Sequence, residues 1–143
     1  MTTERNKAIV RRFYEAFAAN DEGALKEVLA PDLVAYSHGA PGPQSREAHL
    51  QTIGSWNAAF GETHFTIEDQ ITEGDKVATR VTMRSVHNRG EFQGLPPNGK
   101  EIVVGGIAIE RIKDGKIVER RVSGDWLGMM QQLGLIPPPQ SAR

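Results

Sequence analysis

The hydrophobic pattern of this chain changes its period once, near Gly61, and this change constrains the fold most strongly. In residues 4–19 apolar side chains recur at helical spacing, so that they lie on one helix face. After Gly61 apolar residues such as Phe65 and Ile67 alternate with polar ones, as they do on a strand that packs on one side. Helices in the first part and consecutive strands in the second predict an α+β fold, in which helices cover one face of an antiparallel sheet.

The same pattern, together with capping and turn residues, predicts the element order α-α-β-α-β-β-β-β-α. Helices are predicted over residues 4–19, 21–30, 45–60 and 126–133, and strands over residues 33–36, 65–71, 76–87, 100–112 and 116–123. Asp21 and Ser45 are the predicted caps of the second and third helices, Pro31 and Gly134 are expected to end the second and the last helix, and residues 113–116 form a predicted hairpin turn. The glycine pair at residues 105–106 favours a sharp bend within a long strand. We therefore expect a strongly curved, cone-shaped sheet, with a pocket between its concave face and the helices.

Composition limits the chain to a few protein classes. Its 143 residues suit one domain, predicted over residues 1–136, followed by an extended, proline-rich tail over residues 137–143. The net charge of −1 and the lack of a polybasic run predict no nucleic-acid partner and no membrane surface. No segment is apolar over the roughly 20 residues that a membrane span needs, and no signal-peptide pattern is present. The absence of cysteine fits a reducing cytoplasm, which is the predicted location.

Three segments resemble the SnoaL-like polyketide cyclases. Residues 87–100 (HNRGEFQGLPPNGK) are similar to the family's His-x-Gly-Glu-Phe-x-Gly-x-Pro-Pro-Thr-Gly-Lys segment. Residues 109–119 (IERIKDGKIVE) resemble its Arg-Ile-x-Asp-Gly-Lys-Ile-Val-Glu hairpin, and residues 125–134 (DWLGMMQQLG) resemble its C-terminal end. The three segments occur in the family's order with matching gaps, so the resemblance covers nearly the whole chain.

The resemblance implies the nuclear-transport-factor-two-like superfold, a cone-shaped α+β barrel that agrees with the fold predicted above. It also implies a cofactor-independent enzyme that performs aldol-type cyclisation or isomerisation on a hydrophobic, carbonyl-bearing small molecule such as a polyketide. We further expect a homo-oligomer, a dimer or tetramer, formed through the open face of the sheet. Because the superfold hosts many activities, hydrolysis or hydration in the same pocket and non-catalytic ligand binding remain alternatives.

Asp125, at the junction of the last strand and the last helix, aligns with the family's acid/base aspartate. A carboxylate placed against apolar side chains is a common way to tune a proton-transfer group. The same position also favours an N-cap residue, whose side chain accepts a backbone hydrogen bond from the helix. From the residues alone both roles remain open, and the resemblance favours a pocket-facing carboxylate.

The histidines supply further candidates. His87, at the end of a predicted strand, is a second catalytic candidate that could donate a hydrogen bond to a substrate carbonyl, unless it only bonds to local backbone. His38 follows the first strand, where family members often have a histidine, and is a substrate-binding candidate. The four histidines lack metal-ligand spacing, so no metal site is predicted, and His49 and His64 are expected at the surface.

Most large apolar side chains are expected in the core, but some would also line the cavity of a cone-shaped fold. The substrate-binding candidates among them are Tyr14, Trp56, Phe60 and Trp126. Arg80 is a further candidate if its face of the strand is concave, where it would bind a carbonyl or carboxylate. On the other face it would be an ordinary solvated side chain.

Two departures from the family bear on the chemistry. The pair Arg120-Arg121 stands where the family usually has His-Trp or a similar pair, and residues 101–112 contain no histidine to support the aspartate. By strand alternation Arg121 shares a face with Asp125, where an arginine would make the cavity more polar. These departures leave the substrate and the reaction type open.

Overall fold

A computed structural model describes residues 2–37 and 41–137 of the chain. Within these residues the chain forms four helices and five strands in the predicted order, and the predicted α+β class is confirmed. The helices are α1 (Thr2–Ala19), α2 (Glu22–Val28), α3 (Arg46–Ala59) and α4 (Trp126–Leu133). The strands are β1 (Leu29–Tyr36), β2 (Gly61–Glu73), β3 (Lys76–Val86), β4 (Glu101–Lys113) and β5 (Lys116–Gly124). The predicted tail lies outside the described residues except for Pro137, and the domain boundary stays a prediction.

The five strands form one sheet in the order β1-β5-β4-β3-β2. Strands β2 to β5 each pair antiparallel with their neighbours in sequence, as their hairpin turns predict. β1 instead pairs in parallel with β5, so the sheet is mixed and the prediction of an entirely antiparallel sheet is wrong for this strand. A parallel neighbour leaves no hairpin signal in the sequence, because its connection must cross over through other elements.

β1 starts earlier than the sequence predicts. It begins at Leu29 and contains Pro31, which was expected to end the preceding helix. Proline lacks the N–H that a strand ladder uses, but it is tolerated on edge strands, and β1 is an edge of the sheet. α2 therefore ends at Val28 because the chain turns directly into a strand.

The predicted local start and stop signals are confirmed. The side chain of Asp21 accepts a hydrogen bond from the first turn of α2, and Ser45 does the same for α3. Gly134 ends α4 with a left-handed φ of 87°. Asp114 and Gly115 both have positive φ, which suits the tight hairpin between β4 and β5.

The sheet has a covered inner face and an exposed outer face. On β3 the side chains of Val77, Thr79 and Val81 are buried, whereas Arg80 and Arg84 on the opposite face are exposed. Two apolar clusters cover the inner face. The α1 cluster includes Val10, Phe13, Leu25, Ile53, Val81 and Ile117, and the α4 cluster includes Phe60, Met83, Ile102, Val104, Met129 and Leu133. Phe65 packs against both clusters, so the interior is continuous from one to the other.

Candidate functional site

A buried ion pair interrupts the apolar interior. Glu110 on β4 and Arg120 on β5 are direct partners in the strand register, and both side chains point to the inner face. Arg120 Nε donates to Glu110 Oε2 at 2.9 Å, with side chains only 7% and 0% exposed. Burying two charges is costly unless their hydrogen bonds are well formed, so this pair is an unusual feature of the core.

Helix α1 surrounds the guanidinium of Arg120 with two aromatic rings. Nη2 of Arg120 donates to the hydroxyl of Tyr14 at 3.2 Å, and the central guanidinium carbon lies 4.5 Å from the ring centroid of Phe13. A cation over an aromatic face is attracted by the ring, and more strongly where water is excluded. Tyr14, predicted to bind substrate, therefore lies beside the ion pair.

A buried histidine belongs to the same group. His49 on α3 is 3% exposed, and its ring lies parallel to that of Phe13 with centroids 6.3 Å apart. Burial and the charge of Arg120 lower the pKa of His49 to about 3, so its ring is neutral at ordinary pH. The expectation that His49 lies at the surface is wrong, because the buried face of α3 includes His49 together with Leu50 and Ile53.

We call Tyr14, His49, Glu110 and Arg120 the polar interior cluster. Burial raises the pKa of Glu110, although Arg120 opposes the rise. Burial also raises the pKa of Tyr14, again against the effect of Arg120, so its hydroxyl keeps its proton. Burial alone would lower the pKa of Arg120, but Tyr14 and Glu110 outweigh it and raise that pKa, so the guanidinium stays charged.

Two buried atoms of the polar interior cluster have no hydrogen-bond partner among the described residues. They are Oε1 of Glu110 and Nε2 of His49. Leaving a buried polar atom unpaired costs about 1–3 kcal/mol, so such atoms are concentrated where a ligand or water completes the bonding. The cluster can therefore offer acceptors from Glu110 and His49, and donors from Arg120 and Tyr14, to a bound molecule.

A second group, the aromatic stack, is formed by Trp56, Phe60 and His87. The rings of Trp56 and Phe60 are parallel with centroids 3.9 Å apart, and those of Phe60 and His87 are 4.9 Å apart. His87 is fully buried, and its Nε2 donates to the carbonyl of Gly90 at 2.7 Å. The bond to local backbone that the sequence left open is thus observed, and a catalytic role for His87 stays a prediction. Its Nδ1 is buried without a partner among the described residues.

The structure brings most of the predicted aromatic candidates together. Trp126 packs against the α4 cluster, as does Trp56, and Phe60 is a member of that cluster. Tyr14 lies apart from them in the α1 cluster. Contact of these side chains with a ligand stays a prediction. His38 lies outside the described residues.

Asp125 takes the capping position that the sequence left open. Its Oδ1 accepts a hydrogen bond from the backbone N–H of Gly128 at 2.9 Å, and the residue is exposed. Arg121, which was expected to share a face with Asp125, lies on the exposed outer face of β5, whereas Asp125 follows the end of that strand. Arg121 stacks 3.9 Å from the ring centroid of Tyr36 and does not enter the interior. A catalytic role for Asp125 stays a prediction.

Arg80 is exposed on the outer face, which is one of the two positions that the sequence left open, and its role in substrate binding stays a prediction. It borders an open hollow of about 440 Å³ with Thr82, Ile107 and Ser123. Three exposed isoleucines lie on the same side of the sheet: Ile71, Ile107 and Ile109. This hollow is open to solvent on the outer face of the sheet.

Residues 2–37 and 41–137 contain neither a metal-binding cluster nor a membrane-spanning helix. No three acidic, histidine or cysteine side chains there converge in an arrangement that could hold a metal ion. No helix in that part of the chain has both the length and the apolar character that crossing a membrane requires. The polar interior cluster therefore remains the strongest candidate site, and sequence reasoning found only its tyrosine.

Comparison with protein families finds one match. The family model described as SnoaL-like polyketide cyclase matches residues 8–133, which is most of the chain. No curated protein sequence matches the chain.

Several solved structures from Streptomyces are similar in fold and sequence. IdmH of Streptomyces antibioticus, a proposed polyketide cyclase, is 33% identical over 90% of this chain and 98% of its own, with a TM-score of 0.79. AclR of Streptomyces galilaeus, a proposed hydroxylase, is 26% identical over 98% and 87%, with a TM-score of 0.85. TsrD of Streptomyces laurentii is 26% identical over 93% and 97%, with a TM-score of 0.81. The relatives thus carry more than one proposed activity.

Proposed function

The chain belongs to the SnoaL-like polyketide cyclase family, and we propose that it is a cofactor-independent enzyme acting on a hydrophobic, carbonyl-bearing small molecule. The reaction is an aldol-type cyclisation or an isomerisation, and both begin with removal of a proton from a carbon next to a carbonyl. The observation that carries the proposal is Glu110, whose buried Oε1 has no partner among the described residues while Arg120 donates to its other oxygen.

In the proposed reaction Glu110 is the base. Its Oε1 takes the proton, and the electrons of the broken C–H bond move to the carbonyl oxygen, forming an enolate. Arg120 and the hydroxyl of Tyr14 donate hydrogen bonds to that oxygen as its charge develops. In cyclisation the enolate carbon attacks a second carbonyl of the same molecule, and the new alkoxide takes the proton from Glu110. In isomerisation Glu110 returns the proton to a different carbon.

The surroundings of Glu110 suit both halves of this cycle. Burial raises its pKa, which makes the carboxylate a stronger base than one in water. Arg120 opposes that rise, which favours the ionised carboxylate needed at the start. Tyr14 keeps its proton because burial raises its pKa, so it can act as a neutral donor. Base and donors are thus joined in one hydrogen-bonded group.

The aromatic stack supports an apolar substrate. The parallel rings of Trp56 and Phe60 make this part of the interior apolar, and Trp126 packs against the same α4 cluster. Pockets for small molecules are mostly apolar, with a few polar groups that fix orientation. We propose that this apolar region contacts the carbon skeleton and that Nδ1 of His87, which has no partner among the described residues, contacts a polar substituent.

Two competing proposals remain distinct. Asp125 is the alternative base, supported by the family resemblance alone. A non-catalytic ligand-binding protein is the alternative from another class, and it is favoured by the ion pair with Arg120, which neutralises the charge of Glu110. Matched carboxylate-to-amide changes at Glu110 and Asp125 separate these two alternatives from the proposal that Glu110 is the base.

The test follows exchange of the methylene protons of benzoylacetone, an aromatic 1,3-diketone, for deuterium in D₂O by NMR. We expect wild-type protein to accelerate the exchange and Glu110→Gln to lower this acceleration by about 100-fold or more. Asp125→Asn, the same change at the surface, should leave the rate unchanged. The reverse result would assign the base to Asp125. Unchanged rates in both variants, or no acceleration by wild type, would favour the binding protein.

A second variant guards against a folding failure of Glu110→Gln. Tyr14→Phe removes only the hydroxyl and keeps the aromatic ring with its packing contacts, so this variant should fold. We expect it to slow the exchange by about 100-fold, as for loss of one oxyanion donor. A Tyr14→Phe protein with the wild-type rate would exclude the polar interior cluster as the catalytic site.

We also propose that two copies of the chain pair through the outer face. Ile71, Ala78 and Ile109 are neighbours in one row of the strand register, and the two isoleucines are 66% and 45% exposed. Arg80 and Asp69 are register partners beside this row, so a two-fold arrangement can set opposite charges against each other. Ile109→Glu should convert a dimer into a monomer in light scattering, and a monomeric wild type would refute the proposal.

A further inference from the structure

We propose that His49 presents an unprotonated Nε2 to the interior as a fixed hydrogen-bond acceptor, and that it selects substrates carrying a hydroxyl group near the reacting carbonyl. This inference rests on the proposed function, because it adds a positioning residue to the same cluster. The expected ligand is therefore a hydroxylated ketone, such as a phenolic ketone or an enolised diketone.

The position of His49 places its ring inside the molecule. It is 3% exposed, and its ring lies parallel to that of Phe13, whose centroid is also 4.5 Å from the guanidinium carbon of Arg120. Phe13 thus has the histidine and the arginine as direct neighbours. The charge of Arg120 also lowers the pKa of His49, so a ligand group that reaches Arg120 lies within electrostatic range of the histidine ring.

Three hydrogen bonds set which ring nitrogen of His49 carries the proton. The hydroxyl of Thr52 donates to the carbonyl of Ala48 at 3.1 Å, and so its oxygen accepts from Nε2 of Gln44, also at 3.1 Å. The amide oxygen of Gln44 then faces Nδ1 of His49 at 3.4 Å. An amide oxygen only accepts, so Nδ1 must carry the hydrogen.

The opposite arrangement is less favourable. If the amide of Gln44 were turned over, its oxygen would need the hydroxyl hydrogen of Thr52, and the bond to Ala48 would be lost. That arrangement forms two of the three hydrogen bonds, whereas the first forms all three. The network therefore favours the tautomer in which Nε2 of His49 has a lone pair and no hydrogen.

A bare Nε2 needs a donor. It is buried without a partner among the described residues, at a cost of about 1–3 kcal/mol. Burial and the charge of Arg120 lower the pKa of His49 and so disfavour a second proton on the ring, and Nε2 stays an acceptor. A ligand hydroxyl would satisfy Nε2, while a carbonyl of the same ligand accepts from Arg120 and Tyr14. A site built around a buried hydrogen-bonding group discriminates against analogues that lack its partner.

Binding of two matched compounds tests this selectivity without relying on turnover. Meta-hydroxyacetophenone carries the hydroxyl donor, and meta-methoxyacetophenone has similar size without it. We expect wild-type protein to bind the hydroxyl compound about 10-fold more tightly, the value of one net hydrogen bond. His49→Leu should abolish this preference while it keeps the affinity for the methoxy compound. His64→Leu, at an exposed histidine, is the matched control and should keep the preference.

Nitrogen NMR of the histidine side chains supplies a second, independent measurement. We expect His49 to show the Nδ1–H tautomer, and Gln44→Leu to remove the preference for it. A proton on Nε2, a His49→Leu protein that still prefers the hydroxyl compound, or a wild type that binds both compounds equally or neither would overturn the inference. These outcomes are distinguishable from failure of the proposed function, which is judged by the exchange rate of Glu110→Gln.

Discussion

Acid should destabilise this protein through His49, because the folded state holds its ring neutral. Burial and the charge of Arg120 lower the pKa of His49 from 6.5 to about 3. Between these two values the unfolded chain binds a proton that the folded chain does not bind. The free energy of unfolding therefore falls as the pH falls through this window.

The size of the effect follows from the shift. Each pH unit inside the window costs about 1.4 kcal/mol, so lowering the pH from about 7 to about 4.5 removes about 2.5 kcal/mol. A typical domain has only about 5–15 kcal/mol of stability in total. Glu110 acts with the opposite sign, because its raised pKa makes the folded protein bind its proton first as the pH falls. Comparison with His49→Leu isolates the histidine, since both proteins retain Glu110.

Urea unfolding at a series of pH values measures the difference. The wild type should lose about 2.5 kcal/mol more than His49→Leu between about pH 7 and about pH 4.5. His64→Leu, which changes an exposed histidine, should follow the wild type. Parallel stability curves for wild type and His49→Leu would show that the ring is protonated in the folded state. That result would refute its placement beside Arg120 inside the molecule.

The remaining predictions concern the ion pair, the helix cap and the docking of α4. Arg120→Met should cost about 3–5 kcal/mol in urea unfolding, because it leaves Glu110 buried and unpaired, and adding Glu110→Leu should recover most of the loss. Asp125→Ala should lower stability by about 1 kcal/mol without affecting benzoylacetone exchange, and a large loss of exchange would restore its catalytic assignment. The side-chain amide of Gln132 forms hydrogen bonds with both backbone groups of Val103, at 2.7 and 2.8 Å. Gln132→Ala should therefore lower the melting temperature modestly and speed amide hydrogen exchange in α4. Unchanged amide hydrogen exchange in α4 would contradict this role.

The sequence predicted the elements because their signals are local. Helical spacing, the caps at Asp21 and Ser45 and the turn at residues 114–115 each act over a few neighbouring residues, and all are found in the structure. The family resemblance added the fold independently of these signals. The parallel pairing of β1 with β5 depends on contacts far apart in the chain, so no local signal predicted it.

The candidate site was mostly missed because one bulge changes which side chains point inward. Ile112 pairs with Ile117, but the next pair is Arg111 with Glu119, so Val118 is an extra residue in β5. Strict alternation from Ile117 would place Arg121 inside with it. The bulge shifts the pattern by one residue, so Arg120 enters the interior opposite Glu110 and Arg121 faces outward.

The burial of His49 was missed for a different reason, because its polar residue type was given more weight than its position on the helix. Its neighbours Leu50 and Ile53 mark the buried face of α3, and His49 lies on that face at helical spacing from Ile53. The helical pattern therefore contained a usable signal. A polar residue on an apolar stripe deserves to be treated as a candidate for the interior.

The change of period near Gly61 was sufficient to determine the α+β class and the order of the elements, because backbone periodicity depends only on neighbouring residues. Only the tertiary structure decided which carboxylate lies in the interior. Asp125 and Glu110 are both acidic residues next to apolar sequence. Asp125 is exposed and caps a helix, whereas Glu110 pairs with Arg120 on the inner face of the sheet. The strand register and the bulge determine which side chains face inward, and both depend on pairing between segments that are distant in the sequence.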